Sequence, residues 1–201
     1  MKTITAILTG VLLGVVAFAA LRLAFVRMEQ PPHYHANFAL FVDGRRVDLS
    51  ADQYMEDVAS CAMGETVLPK SRVHLHNNNA DVAHVHHQGV TWGHLFTNLG
   101  FGLGKDHLAL DDGPVLTEGN GRTLKFILNG QPQFAVHNEL IRSGDRLLVS
   151  YGSESEADAL RTQFPQVANT AEEFNQRPDP AGCAGAHQHT VWDRIRHAFT
   201  G

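Results

Sequence analysis

Val73-His74-Leu75-His76, Asn77-Asn78-Asn79-Ala80-Asp81 and Val82-Ala83-His84-Val85-His86-His87 follow one another without a break and carry five of the thirteen histidines. Apolar and polar residues alternate on both sides of an Asn/Asp run, which is the pattern of strand, turn and strand. With the turn centred on Ala80, His76 faces His84 and His74 faces His86. Period two then sets all four imidazoles on one face and Leu75 and Val85 on the other. Directly opposed side chains stand close enough for imidazoles to share one ion, so His74, His76, His84 and His86 are candidate metal ligands. The competing reading is a solvated polar face of a half-buried sheet, which shows the same alternation.

Upstream, Tyr34, Ala36, Phe38, Leu40 and Val42 alternate with His33, His35, Asn37, Ala39 and Phe41. Asp43-Gly44 follows as a type I′ hairpin signal and 45–49 returns, setting Leu40 against Val47 and Phe38 against Leu49. If this strand neighbours the histidine hairpin, His33 and His35 complete the site. Residues 51–59 suggest a short helix. Downstream, Thr91 is a candidate N-cap and Gly100 a stop for a helix carrying Leu95, Phe96 and Leu99. Residues 100–122 read as glycine-rich loop, and 124–128 as a strand before a second hairpin signal, Asn129-Gly130. Residues 146–151 read as a last strand, and Ser153 to Glu156 as a capping box opening a helix stopped by Pro165. Residues 166–190 look poorly structured. Val191, Trp192, Ile195 and Phe199 line one side of a C-terminal amphipathic helix able to dock on the core, on a bilayer surface or on a partner.

Hairpin, helix, strand and last strand follow the order of a β-grasp, or ubiquitin-like, domain. The phrases Phe126-Ile127-Leu128-Asn129-Gly130 and Ser143-Gly144-Asp145-Arg146-Leu147-Leu148-Val149 resemble that fold. The expected class is therefore α+β: a β-grasp core with an extra N-terminal β-hairpin, an N-terminal transmembrane helix and a helical C-terminal tail. Expected boundaries are 1–29 for an anchor or signal segment, 30–152 for the histidine-rich domain and 153–201 for the tail.

The span from Ile4 to Val26 is almost wholly apolar and long enough to cross a bilayer. Ala17-Phe18-Ala19 offers the alternative of a cleaved signal. Either way the domain is expected outside the cytoplasm, in a periplasmic setting. A formal charge of −5 supplies no basic footprint, so nucleic acid is not an expected partner. Thirteen histidines stand against sixteen Lys plus Arg, a skew that calls for a local cause. The two cysteines, Cys61 and Cys183, form no C-x-x-C pair and suggest a possible disulfide in an oxidising compartment.

All-imidazole ligation suits copper or zinc, and Met55 and Met63 favour copper; Asp81 or Asn77 can add an oxygen. The histidines therefore point to an extracytoplasmic metal-binding protein for capture, delivery or sensing. One alternative is an accessory subunit of a membrane protein complex, contacting it through the anchor and the C-terminal helix. Another is a metal-dependent enzyme or thiol-redox protein, although no H-E-x-x-H signature occurs and no catalytic residue is assigned.

His33-x-His35-x-Asn37-Phe38-Ala39-Leu40-Phe41-Val42-Asp43-Gly44, Tyr54-Met55, Gly89-Val90-Thr91-Trp92-Gly93 and Asp145-Arg146-Leu147-Leu148-Val149-Ser150-Tyr151-Gly152 accompany the two His-x-His strands. Together they resemble a little-characterised family of prokaryotic membrane-anchored His-rich proteins over residues 33–152. Some members of that family carry a protein-disulfide isomerase label. The label fits poorly with a chain lacking a resolving cysteine beside an attacking one.

Overall fold

The structure is a computed structural model that describes residues 2–26, 32–56, 68–177 and 191–200. Those residues fall into two compact units, 2–26 with 191–200, and 32–177. Cys61, Cys183 and Met63 lie outside the described residues.

In the first unit, helix α1 (Lys2–Phe25) is apolar over its length and buries none of its residues. It is long and apolar enough to cross a membrane.

The second unit is a mixed α+β domain. Strand β1 (Tyr34–Val42) turns at Asp43 (φ 48°) and Gly44 (φ 75°) into β2 (Arg45–Arg46). These left-handed angles are those of the type I′ turn that Asp-Gly signals. Val47 N donates to Leu40 O at 2.8 Å, as the hairpin register requires, but the return strand stops at Arg46. A 3-10 turn (Asp52–Tyr54) stands where a short helix is expected over 51–59. Helix α2 (Pro69–Arg72) then leads into β3 (Val73–His74), followed by β4 (Val82–Val85) and helix α3 (Trp92–Asn98). Thr91 caps α3 in a reciprocal capping box with His94, and Gly100 (φ 88°) follows its C-terminus.

Residues 100–122 are not simply loop. They hold a three-stranded antiparallel sheet of β5 (Gly102–Leu103), β6 (His107–Ala109) and β7 (Val115–Thr117), too short to show periodicity. Then come β8 (Thr123–Leu128), β9 (Gln131–Gln133) and β10 (Arg146–Gly152).

The main sheet runs β3-β4-β1-β10-β8-β9, with β2 also on β1. The N-terminal hairpin, expected as an extra to the core, is built into this sheet. Its first strand is central, parallel to β10 (Phe38 opposite Leu147) and antiparallel to β4. Seven of its nine residues are buried because both sheet faces are covered. One face packs Ala36, Phe38 and Leu40 with Leu147, Val149, Phe126 and the α3 residues Trp92, Leu95 and Phe96. The other packs Ala39 and Phe41 with Ile127 and Leu148 beneath Ala159 and Val167.

That second cover comes from residues expected in the tail. Helix α4 (Glu156–Asp158), capped by Ser155, continues through a π turn (Ala159–Gln163) and a 3-10 turn (Phe164–Gln166), and helix α5 (Ala171–Asn175) follows. Residues 153–177 thus lie against the sheet instead of forming part of a separate tail, and 166–177 are structured. The reason is apolar burial: Ile127, Leu148, Phe41 and Ala39 need a partner layer on that face, and Ala159, Leu160, Phe164 and Val167 supply it.

Phe38 is fully buried, with ring centres 6.4 Å from Trp92 and 5.9 Å from Phe96. Phe38→Ala is expected to cost about 3–5 kcal/mol in denaturant unfolding; a loss below about 1 kcal/mol would contradict this core.

Candidate metal centre

Six histidines meet on the second face, on the side of β1 away from the Phe41 core. Strand pairing places them. His35 on β1 is opposite His84 on β4, and His84 is opposite His74 on β3, so one row of imidazoles crosses three strands. The expected register across the Asn turn is corrected here. His74 opposes His84 and not His86, because the turn centres on Asn79, not Ala80. Asn77 (φ 59°) and Asn78 (φ 54°) accept left-handed angles, and Asn79 Oδ1 accepts from Asp81 N at 3.0 Å. The shift moves each partner by two residues, so parity survives and the imidazoles stay on one face.

The rings close into a circle. Centre-to-centre separations are 4.7 Å for His33 and His35, 4.3 Å for His35 and His84, and 3.6 Å for His84 and His76. They continue at 5.6 Å for His76 and His74, 5.0 Å for His74 and His86, and 4.8 Å for His86 and His33. Two imidazoles bound to one ion through ~2.0–2.1 Å bonds have ring centres roughly 4.5–5.2 Å apart. Most of the circle already lies near that spacing.

His33, His35 and His84 can hold a metal ion, since one ring nitrogen from each lies within 4.8 Å of the others. A tetrahedral ion draws its ligand nitrogens to roughly 3.3 Å apart. Small ring rotations therefore suffice.

Burial separates this cluster from a solvated sheet face. His35, His74, His76, His84 and His86 are only 2–4% exposed. Over His35 and His84 lies α5: the Phe174 ring centre is 5.7 Å from that of His35 and 6.1 Å from that of His84. The helix is fixed from below by Asn37, whose Oδ1 accepts from Thr170 N and Ala171 N, each at 2.9 Å.

Hydrogen bonds set the tautomers. Asn175 Nδ2 donates to Ser143 Oγ at 2.9 Å, leaving its Oδ1 to accept from both the backbone N and the Nδ1 of His35, each at 2.9 Å. His35 is therefore protonated on Nδ1, and its Nε2 lone pair accepts from His84 Nδ1 at 2.8 Å. His74 Nδ1 donates to the Lys70 carbonyl at 2.7 Å, which leaves Nε2 as its lone-pair nitrogen. Such outer contacts orient histidine ligands in metal sites. Nε2 of His33 and Nε2 of His84 are buried with no hydrogen-bond partner among the described residues. Buried imidazole nitrogens without a partner are costly, and an ion would relieve that cost.

Burial, and then the neighbouring imidazoles His76, His35, His74 and His86, hold the His84 pKa far below its ordinary value. His84 is therefore a neutral nitrogen donor at neutral pH.

The other candidates fall elsewhere. Met55 packs with the α3 core, and Asp81 is ion-paired with Arg46, so neither belongs to the imidazole circle. His87 and His107 are exposed, and His94 serves the α3 cap. His187 and His189 lie outside the described residues. Sequence reasoning missed Asn175, Phe174 and Asn37. Only the acidic start Glu172-Glu173 after Thr170 hinted that a helix begins there.

Comparison of the chain with protein-family models, curated proteins and solved structures returns no match.

A histidine whose pKa is depressed by folding binds a proton in the unfolded chain that the fold refuses. Stability is thus full above the ordinary value of 6.5 and declines as pH falls below it. In chelator-treated protein, unfolding free energy should fall for each such group with a slope that steepens from about 0.7 kcal/mol per pH unit at pH 6.5 toward about 1.4 near pH 5. The His84→Leu variant should show a shallower slope; an unchanged slope would remove His84 as a cause.

Proposed function

We propose that the protein binds a transition-metal ion, copper or zinc, through His33, His35, His74, His76, His84 and His86, for capture, delivery or sensing outside the cytoplasm. The observation that carries this reading is the closed circle of six imidazoles, five of them almost fully buried. Imidazole nitrogens suit both metals as ligands. With Met55 packed in the core, it lends copper no thioether support.

An apolar α1 supports the membrane-anchored half of the reading, and Lys2 ahead of the apolar run fits a domain on the extracytoplasmic side. The resemblance to membrane-anchored His-rich proteins belongs to the same proposal. The strand order β4-β1-β10-β8-β9, with β1 parallel to β10 and α3 packed on one face, supports assigning the core to the β-grasp architecture. Architecture alone carries no function.

The full-length chain purified in detergent should contain close to one or more equivalents of copper or zinc by elemental analysis, with a nitrogen-only first shell in X-ray absorption. A His35→Ala/His84→Ala variant should lose most of that metal. A metal-free wild type whose melting temperature is unmoved by added copper or zinc would refute the proposal. Imidazole ligands compete with protons, so the bound metal should leave between roughly pH 6 and 4.5. Full occupancy at pH 4 would require thiolate or carboxylate ligands instead.

A further inference from the structure

Helix α6 (Val191–Thr200) belongs with α1 in the first unit, and the metal reading makes no use of it. It is joined to the last turn of α1. Arg22 Nε donates to Ala198 O at 2.9 Å, Arg194 Nη2 donates to Leu23 O at 3.5 Å, and Ala198 is 1% exposed. At 3.6 residues per turn, Val191, Ile195, Phe199 and Trp192 share one arc that begins beside Ala198. Asp193, His197 and Thr200 occupy the opposite side. Arg194 and Arg196 flank the apolar arc. On that arc Val191 is 72% exposed, Trp192 76% and Phe199 48%.

So much exposed apolar surface on ten residues needs a cover, and the neighbouring helix indicates which. The body of α1 exposes Val11, Leu12, Val15, Val16, Phe18 and Leu21, each by more than half. That surface is suited to lipid, and its end is where Arg22 and Leu23 hold α6. The apolar arc of α6 therefore continues a lipid-facing surface at the depth where a span meets the headgroups. Trp is favoured at that depth, and Arg side chains there reach lipid phosphates while their stems stay in the apolar layer.

We infer that α6 is an interfacial helix, held by the end of α1, whose Val191, Trp192, Ile195 and Phe199 lie in the headgroup boundary of a bilayer. By chain connectivity, the domain between the two helices is then tied to the membrane at both ends. The inference stands apart from the metal reading and survives its failure.

The full chain reconstituted in phosphatidylcholine/phosphatidylglycerol vesicles tests it. The protein has two tryptophans, and Trp92 is fully buried in the domain core. Subtracting the emission of a Trp192→Phe variant therefore isolates Trp192. Lipids brominated near the carbonyl end of the acyl chain should reduce the Trp192 signal at least twofold, and lipids brominated near the chain terminus should reduce it less. A signal unchanged by either lipid would show the arc covered by protein or left in water, and would overturn the inference. Stronger quenching by the deep bromines would also overturn it, because the helix would then be inserted across the bilayer.

Discussion

The pairing of β1 with β4 is the constraint on which the candidate site depends. It sets His35 opposite His84, and the β3 pairing extends the row to His74. Neither strand can slip by one residue, because Phe38, Ala36, Val85 and Ala83 would then leave the α3 core and the imidazoles would enter it. The hydrophobic core on one face thus enforces the position of nitrogen donors on the other. A metal site built this way is as rigid as the sheet beneath it.

Burial is the second requirement, and α5 meets it over His35 and His84. Phe174 packs on both rings, Asn37 holds the backbone of 170–171, and Asn175 turns His35 into a defined tautomer. The same short segment therefore shields His35 and His84 and fixes the His35 ring.

At the far end of the same sheet face the polar chemistry is different in kind. Lys125 is 5% exposed, and its Nζ donates to Gly152 O at 2.9 Å and Thr123 O at 3.0 Å beside Glu154. That cationic group is satisfied by carbonyls and a carboxylate and serves the packing of 153–163 on the sheet. The circle is built of imidazoles instead, and imidazole binds a metal as an uncharged donor.

Much was readable from residue order alone. The two-residue period of 33–42 and 73–86 assigned each histidine to a face, and Asp43-Gly44 and Asn129-Gly130 marked their turns, because a strand has only two sides and those turns need residues that tolerate positive φ. Parity proved sturdier than register: the Asn turn moved by one position, yet all the imidazoles stayed together, since a shift of two residues preserves the face. Tertiary structure decided the rest. That β1 lies between β4 and β10, that 153–177 covers the second face, and that Asn175 and Phe174 complete the cluster all depend on contacts between residues distant in sequence, 49 positions apart for His35 and His84 and 140 for His35 and Asn175. Local periodicity specifies how a segment can present its side chains; which neighbour it presents them to is settled by which apolar faces must be covered for the whole chain to pack.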